Sequence, residues 1–377
     1  MKVTTQQLPK INLVVLGKGL VGSAWLQGFV ELRAKLKLVA TVELVAVANS
    51  TRFLIEPAGL TTGQLEHFQQ ESVAGALTQL VHQVAECQLD NVVVLDLTAS
   101  GIVADNYLEF AQRGWHLISA NKRPLTKSIE RHKFLVRTLK RNRCFWGINA
   151  TVGAALPIQA SLNELLQAGD KLHSISGVFS GSLSYLLNHY DGQQSFTELV
   201  RQAKDAGVTE PDPRDDLAGT DVQRKLLILS RVAGYSLNLS DIPVSPLLPE
   251  HLLAGDINQF WQNKDAIDTY MAEQYRQAAS KGLKLVYQAK ARFIDKLAAG
   301  EVSLTALDGH NALSQLTPSD NVFSVTTDFY RTNPLVIRGP GAGAIVTATA
   351  VNIDLNKFIL QVVAAGNTLG DTGLGSL

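Results

Sequence analysis

Short, nearly continuous apolar runs recur along the first 150 residues. They predict strands that are buried on both faces of a parallel sheet, and they cover residues 11–16, 44–48, 92–95 and 115–119. The intervening stretches have the length and spacing of helices, at 20–36, 76–86, 102–113 and 126–141. Alternating strands and helices are typical of βαβ units. The pattern predicts an α/β domain over residues 1–150 with a doubly wound parallel sheet.

The regular alternation of strands and helices ends at about residue 150. Helical patterns occur at 155–168, 196–206, 218–234 and 265–281. Strand candidates, many with alternating polarity, occur at 172–179, 283–292, 301–307 and 321–328. This mixture predicts an α+β region over 151–340, with antiparallel strands that can expose one face. An apolar helix at 344–363, within a segment 341–365, is expected to return to the first domain, and the Gly-rich residues 366–377 are expected to be disordered.

Charge and cysteine usage narrow the class of protein. The chain has 34 Lys and Arg against 34 Asp and Glu, which argues against wholesale binding to nucleic acid or to an anionic membrane. The two cysteines, Cys87 and Cys144, are too few for a disulfide scaffold and fit a reducing compartment. The first ten residues lack a signal-peptide core, and no run of about 18 apolar residues occurs. We therefore expect a cytoplasmic protein.

A glycine-rich loop follows the first predicted strand. The sequence GKGLVG at 17–22 is a G-x-G-x-x-G that opens the first predicted helix. Glycines there allow a tight turn, the close approach of a pyrophosphate and the packing of helix on strand. A merely tight turn is the alternative, but the position in a βαβ series favours a Rossmann-type cofactor site. The predicted cofactor contacts in this loop are Gly17, Gly19, Leu20, Val21 and Gly22.

The end of the second predicted strand bears on the choice of cofactor. An NAD site usually has a carboxylate there for the ribose 2′-hydroxyl, whereas this chain has Asn49, Ser50, Thr51 and Arg52. Arg52 and the two hydroxyl groups could bind a 2′-phosphate, so NADP(H) is favoured over NAD(H). The alternative is that Arg52 is a solvated loop residue.

Two further loops leave the carboxyl ends of predicted strands, where ligands of open α/β sheets bind. They run over 96–100 and 119–124. We predict cofactor contacts there from Thr98, Ala99, Ser100, Asn121 and Lys122. Lys122 is a candidate for a charge facing the nicotinamide, although a loop lysine is more often solvated.

The segment 207–225, GVTEPDPRDDLAGTDVQRK, is unusually acidic. Its prolines are expected to exclude a helix over 211–213, so five acidic residues from Glu210 to Asp221 fall in a fixed loop and the first turn of the next helix. Such density is self-repelling unless a cation is bound. Asp221 and Lys225 lie four residues apart on one helix face, either as a shared hydrogen-bond network or as a plain surface ion pair.

Three other features of the sequence are weaker indications of function. The sequence VFSGSLSY at 178–185 predicts a strand, a tight turn and a helix start, where Gly181 and Ser182 could hold a small polar ligand. Residues 122–143 contain nine Lys or Arg against Glu130 alone, which we interpret as a solvated basic helix because interleaved aromatic residues are lacking. The eight histidines show no metal-binding spacing, and Cys144 is predicted in a strand interior.

In this order the segments resemble homoserine dehydrogenase along nearly the whole chain. Within that family they are most similar to the dehydrogenase half of the bacterial bifunctional aspartokinase/homoserine dehydrogenase of the methionine-branch type. The long acidic motif is specific and the glycine loop is not. The motifs that carry the resemblance are GKGLVGS at 17–23, LDLTAS at 95–100, ISANK at 118–122, NATVGAALP at 149–157, SGVFSGSLSYL at 176–186, TEPDPRDDLAGTDVQRKLLIL at 209–229 and NPLVIRGPGAG at 333–343.

The resemblance implies NADPH-dependent reduction of L-aspartate 4-semialdehyde to L-homoserine, a step toward threonine and methionine. It implies that Asp221 and Lys225 lie at the substrate, that Glu210 and Asp216 help to hold it, and that Lys122 is a second catalytic lysine. The substrate ammonium then accounts for the acidic segment. Which lysine donates the proton stays open.

The resemblance also implies a homodimer and a monovalent cation, Na⁺ or K⁺, held by the backbone carbonyls of Asn149, Val152 and Ala154. Gly341 and Gly343 are expected on the cofactor side. Asn149 stands where many members have an acidic residue, and Val208 stands where many have Tyr.

No aspartokinase half is expected, because only ten residues precede the first predicted strand, and no regulatory domain is expected after residue 343. Either a bifunctional protein has been trimmed or the gene encodes the dehydrogenase alone, and feedback inhibition is not expected. One competing hypothesis is a non-catalytic dinucleotide-sensing module whose acidic loop binds a partner. A phosphorylating semialdehyde dehydrogenase needs an active-site thiol, which Cys87 on a helix and Cys144 in a strand would not supply.

Overall fold

The computed structural model describes residues 8–371 apart from Lys296, and it describes no side chains over 366–371. The chain forms two compact units. Unit 1 combines the residues up to Thr151 with those from Gly343 onward, and unit 2 is Val152–Ala342. None of the helices in the described part of the chain has the length and apolar character needed to cross a membrane.

The strands belong to two sheets, one in each unit. Those of unit 1 are β1 (Lys10–Leu16), β2 (Thr41–Ala48), β3 (Arg52–Ile55), β4 (Val73–Ala74), β5 (Val92–Asp96), β6 (His116–Ser119) and β7 (Trp146–Gly147). Those of unit 2 are β8 (Leu172–Val178), β9 (Leu283–Ile294), β10 (Leu297–Asp308), β11 (Asp320–Thr327) and β12 (Leu335–Pro340).

The helices surround these sheets. From the N-terminus to the end of β7 they are α1 (Leu20–Leu36), α2 (Thr62–Glu66), α3 (Phe68–Glu71), α4 (Leu77–Glu86), α5 (Gly101–Asp105), α6 (Tyr107–Gln112), α7 (Arg123–Thr126) and α8 (Ile129–Arg141). They continue with α9 (Ile158–Gln167), α10 (Gly181–His189), α11 (Phe196–Asp205), α12 (Pro213–Leu217), α13 (Thr220–Val232), α14 (Glu250–Leu253), α15 (Ile257–Gln262), α16 (Lys264–Ala279) and α17 (Ala344–Asp371). Short 3₁₀ turns occur at Asn149–Thr151, Leu239–Asp241 and Ala312–Ser314.

The sheet of unit 1 has the strand order β4-β3-β2-β1-β5-β6-β7. Five of its strands are parallel, because helical crossovers return the chain to the same edge each time. The central strands are buried along almost their whole length, which accounts for their continuous apolar sequence. The predicted doubly wound parallel sheet is confirmed.

The antiparallel edge of this sheet was not predicted. Strands β3 and β4 pair antiparallel to their neighbours, with Arg52 opposite Ala74. They have only four and two residues, too few for a periodic pattern. Arg52, expected in a loop, is instead the first residue of β3.

Several predicted bounds in unit 1 are wrong. The single helix expected over 102–113 is two short helices separated at Asn106, and the helix expected over 126–141 begins after a break near Ser128, whose side chain caps α8. Cys144 precedes β7 rather than lying inside a strand, and burial raises the pKa of its thiol to about 11. Cys87 is the residue that ends α4.

The C-terminal helix α17 returns to unit 1, as predicted, and packs on α1, β6 and β7. Its inner face buries Val351, Leu355 and Phe358, and the Trp25 indole on α1 donates to the Asn352 amide oxygen at 2.8 Å. The disordered tail was expected from residue 366, but the helix continues to Asp371. Residues 372–377 lie outside the described part of the chain.

The sheet of unit 2 is entirely antiparallel in the order β10-β9-β8-β11-β12. Helices α10 and α13 pack against β9, and Phe179 stacks on Phe323 at 4.7 Å between ring centroids. The α+β prediction is confirmed. The break expected at 339–343 begins later, because Gly339 and Pro340 end the edge strand β12, where a missing N–H is tolerated.

One partly buried histidine couples the stability of unit 1 to pH. His116 on β6 packs against Phe358 at 4.3 Å, and its Nδ1 accepts the Phe145 N–H at 3.0 Å. An accepting Nδ1 carries no proton, and burial lowers the pKa of His116 to about 4.

We expect acid to weaken unit 1 through His116. An unfolded histidine titrates near pH ~6.5, so the contribution is fully present above that pH and is lost as the pH falls toward 4. Between about pH 7 and about pH 4.5 the wild type should lose about 2 kcal/mol more unfolding free energy than His116→Asn, which can accept the same hydrogen bond without titrating. Urea unfolding at both pH values measures this, and equal losses would contradict it.

Candidate active site

The glycine loop of unit 1 is as tight as its sequence predicts. Gly17 has a φ of +103°, and a Cβ there would lie 2.8 Å from the Leu97 carbonyl oxygen. A Cβ on Gly22 would lie 1.9 Å from the Gly17 carbonyl oxygen. By contrast, a Cβ on Gly19 meets no described atom within 4 Å. The protein's own packing therefore requires Gly17 and Gly22, while Gly19 leaves space beside the N-terminus of α1 for a ligand.

A cavity of about 480 Å³ lies within unit 1 at the carboxyl ends of β1, β2 and β5. Pockets of this size hold small ligands or parts of cofactors. Seven of the residues predicted to bind cofactor line it, namely Gly17, Asn49, Ser50, Arg52, Thr98, Ala99 and Ser100. The cavity also has an apolar wall that was not predicted from the sequence. It is formed by Phe53, Gly75, Ala76, Leu77, Leu80, Ile102 and Val103.

The polar end of this cavity is built around a turn between β2 and β3. The Asn49 side-chain oxygen accepts the N–H groups of Thr51 at 3.0 Å and Arg52 at 2.8 Å. The Arg52 guanidinium donates to both the hydroxyl and the carbonyl of Ser72. Arg52 is therefore held at the cavity wall rather than free in solvent.

A buried carboxylate supports the two loops beside the cavity. Asp96, fully buried at the end of β5, accepts hydrogen bonds from the Thr98 hydroxyl at 2.7 Å and the Thr98 N–H at 3.0 Å. It also accepts from the Tyr107 hydroxyl and the Asn121 amide, each at 2.9 Å. Burial raises the pKa of Asp96, although these hydrogen bonds oppose the shift. Burial also raises the pKa of the Tyr107 hydroxyl, and the neighbouring charge of Asp96 adds to that shift.

This network changes the interpretation of Asn121. Its side chain is only 1% exposed and joins the Asp96 carboxylate to the Ser100 carbonyl, while its oxygen accepts the Arg123 N–H. Asn121 thus positions the loop rather than presenting its side chain to a cofactor. Lys122 follows directly, half-buried at the start of α7. The sequence feature that could have predicted this network is Asp96 itself, a charged residue at the end of a fully buried strand.

In unit 2, Asp221 and Lys225 are brought together on α13 as their spacing predicts. The Lys225 Nζ lies 2.9 Å from an Asp221 carboxylate oxygen and donates to the Phe179 carbonyl at 2.7 Å. Lys225 is only 8% exposed, so this is not a plain surface pair. An ammonium has three N–H donors, and the third has no acceptor within the described part of the chain.

Two further carboxylates belong to the same cluster. Asp216 accepts the Glu210 N–H at 2.8 Å and lies within hydrogen-bonding reach of Ser182, whose hydroxyl donates to the Val208 carbonyl at 2.9 Å. Burial raises the pKa of Asp216, and the charges of Glu210 and Asp221 raise it further. Concentrated negative potential of this kind favours a cationic ligand.

The rest of the acidic segment has a structural role. Asp212 caps α12 and pairs with Arg214 at 2.5 Å, and Arg214 also donates to the Gly255 carbonyl at 2.6 Å. The expectation of no helix over 211–213 is wrong at its last residue, because Pro213 begins α12, where its missing N–H has no cost. Asp215 is exposed.

The predicted glycines outside the first loop behave differently from one another. A Cβ on Gly341 would lie 2.1 Å from the Asn321 amide nitrogen, so packing within unit 2 requires this glycine. Gly343, with a φ of +117°, has open space around it in the described residues. Gly181 is the first residue of α10, where a Cβ would lie 3.0 Å from the Ser319 carbonyl oxygen.

The predicted cation ligands stay a prediction. Asn149 donates through its backbone N–H at 2.9 Å and its side chain at 2.5 Å to Asp354, and burial raises the pKa of Asp354 to about 6. Val152 and Ala154 are buried, and Ala154 adopts a φ of +49°. No group of three or more His, Cys, Asp or Glu residues suited to a metal exists within the described ranges.

Both units match models of one protein family. Residues 17–146 match the NAD-binding domain of homoserine dehydrogenase, and residues 157–355 match the homoserine dehydrogenase model. The chain belongs to the homoserine dehydrogenase family. The predicted resemblance is thereby confirmed, and the family is one of NAD(P)-dependent oxidoreductases. The competing hypothesis of a non-catalytic sensing module gains no support from these matches.

Individual members of this family are similar to the chain over most of its length. The chain is 41% identical over 352 residues to the bifunctional aspartokinase/homoserine dehydrogenase 2 of Escherichia coli, covering 93% of this chain but only 43% of that protein. It is 33% identical over 369 residues to the homoserine dehydrogenase of Schizosaccharomyces pombe, covering 94% of this chain and 97% of the relative. A hyperthermophilic archaeal homoserine dehydrogenase solved with NADPH has a TM-score of 0.71 at 20% identity, covering 93% of this chain and 98% of its own, and this likeness shows the fold.

The glycine loop gives a matched pair of substitutions on α1. Gly22→Ala places a Cβ against the Gly17 carbonyl oxygen and should abolish dinucleotide binding, because the loop must open. Gly28→Ala, an exposed position of the same helix with open space around it, should leave binding unchanged and stabilise the helix by up to ~1 kcal/mol. Titration with reduced nicotinamide dinucleotide and thermal melts test both, and undiminished binding by Gly22→Ala would refute the loop assignment.

Proposed function

We propose that this chain is a cytoplasmic, homodimeric homoserine dehydrogenase that interconverts L-aspartate 4-semialdehyde and L-homoserine with NADP(H), on the route to threonine and methionine. The observation that carries the proposal is the buried Lys225 ammonium, which is held by Asp221 and the Phe179 carbonyl beside further carboxylates. Family membership and the NADPH bound to the archaeal relative support it.

Two features of the unit 1 cavity support the proposal of a phosphorylated dinucleotide. Its glycine loop presents backbone N–H groups at the start of α1, where phosphate is favoured. No carboxylate stands near Arg52 in the cavity lining to repel a 2′-phosphate, and the guanidinium can donate to one. When bound, the nicotinamide would supply or accept the hydride.

The carboxylate cluster of unit 2 supports the proposal of an amino-acid substrate, whose ammonium group it can bind. Glu210, Asp216 and Asp221 mutually disfavour ionisation at Asp216, and a substrate ammonium relieves that repulsion. Gly181 and Ser182, at the start of α10 beside Asp216, complete the proposed substrate contacts.

A lysine ammonium would polarise the aldehyde oxygen and give it a proton as the carbonyl carbon gains hydride. Lys225 has the geometry for this, because Asp221 and Phe179 occupy two of its donors and leave the third for the substrate oxygen. Such acid assistance is worth ~10²- to 10⁴-fold in rate. Lys122 is the second candidate donor, and a monovalent cation on the Asn149, Val152 and Ala154 carbonyls completes the proposal.

The role of Asp216 can be tested against its exposed neighbour. Asp216→Asn keeps the shape but loses the charge, so kcat/KM for L-homoserine should fall about 10- to 100-fold, the effect of losing a charged hydrogen bond. Asp215→Asn should behave like the wild type, because Asp215 lies outside the cluster. Initial rates of NADP⁺ reduction measure both, and 4-hydroxybutanoate, which lacks the ammonium, should not distinguish wild type from Asp216→Asn. Equal losses in the two variants would disprove the assignment.

A further inference from the structure

Ser72 is a buried serine, 4% exposed, that lies outside every sequence motif. It ends helix α3, where its N–H donates to the Phe68 carbonyl at 3.0 Å, and it immediately precedes β4. Pairing of β4 with β3 then brings this segment beside Arg52. Its backbone is therefore fixed from both sides.

Both groups of Ser72 that can accept hydrogen bonds are used by Arg52. The Arg52 Nε donates to the Ser72 hydroxyl at 2.9 Å, and Nη2 donates to the Ser72 carbonyl. These two donors form one edge of the planar guanidinium, so the contact fixes both the plane and the direction of the group. Nη1 is the nitrogen that has no acceptor within the described residues.

Fixing Arg52 in this way matters because Arg52 lines the unit 1 cavity together with Asn49 and Ser50. A free arginine loses side-chain entropy when it binds an anion, whereas one already held by a buried partner loses much less. Nη1 then offers two N–H donors to a phosphate without rearrangement.

We propose that Ser72 is a positioning residue that sets the preference for NADPH over NADH by orienting the Arg52 guanidinium. This inference rests on the proposed NADP(H) preference. Ser72 acts through Arg52 alone, so it should affect binding of the dinucleotide that carries a 2′-phosphate and leave binding of the other unchanged.

Dissociation constants of NADPH and NADH for the full chain test this directly. Ser72→Ala should weaken NADPH binding about tenfold, the scale of one charge-assisted hydrogen bond, and change NADH binding by less than about twofold. Ser72→Thr keeps the hydroxyl and should restore NADPH affinity. Ser314→Ala removes another serine hydroxyl that is 4% exposed and hydrogen-bonded to backbone in unit 2, and should match the wild type.

A double variant separates the inference from the function on which it rests. Arg52→Ala should remove the NADPH preference, and adding Ser72→Ala to it should change nothing further if Ser72 acts through Arg52. Failure of the wild type to prefer NADPH, or of Arg52→Ala to lose that preference, would overturn the cofactor proposal and this inference together. A preference that survives Ser72→Ala, tighter NADPH binding by that variant, or additive losses in the double variant would overturn the role of Ser72 alone.

Discussion

The burial of one ammonium group organises the candidate site in unit 2. An ammonium that is withdrawn from water costs several kcal/mol unless its donors are satisfied. Two of the three donors of Lys225 are satisfied, one by Asp221, one turn earlier on α13, and one by the Phe179 carbonyl directly after β8. That carbonyl is itself fixed by the Asn321 amide at 3.1 Å, and Asn321 fits because Gly341 has no Cβ. Asn321 and Lys225 thus donate to the same Phe179 oxygen, and Gly341 leaves the space that Asn321 occupies.

Unit 1 shows the same principle with the opposite charge. Asp96 is withdrawn from solvent and collects hydrogen bonds from Thr98, Tyr107 and Asn121, so two loops that are distant in sequence take one fixed arrangement beside the cavity. A polar network that is satisfied in this way rigidifies its surroundings. In both units a costly buried charge therefore fixes the backbone and side chains around it.

The elements with a periodic pattern of apolar residues could be predicted from the sequence. The continuous apolar strands β1 and β5 and the helix over 20–36 were predicted to within one residue at each end, because burial on both faces or on one stripe leaves a repeating pattern. Strand β2 was also predicted, although it begins three residues before the expected start. Short elements such as β4 leave no pattern, and Asn106 broke a helix that the apolar spacing had joined.

Side-chain direction could not be obtained from motifs. Asn121 and Gly341 were both predicted on the cofactor side. The Asn121 side chain instead joins the Asp96 network, and position 341 must be glycine because of the Asn321 side chain. Asp212 and Asp216 belong to the same acidic segment of the sequence. Only the structure shows that Asp212 caps α12 and that Asp216 lies in the carboxylate cluster with Glu210 and Asp221. Ser72 lies 20 residues from Arg52, a contact that depends on strand pairing alone.

We infer that Lys225 acts on the reacting oxygen. It is tested most directly by single-turnover hydride transfer from L-homoserine to NADP⁺ in Lys225→Met, which replaces the ammonium with an apolar side chain of similar length. We expect a rate lower by ~10²- to 10⁴-fold with an unchanged dissociation constant for NADPH. Hydride transfer at the wild-type rate would contradict it.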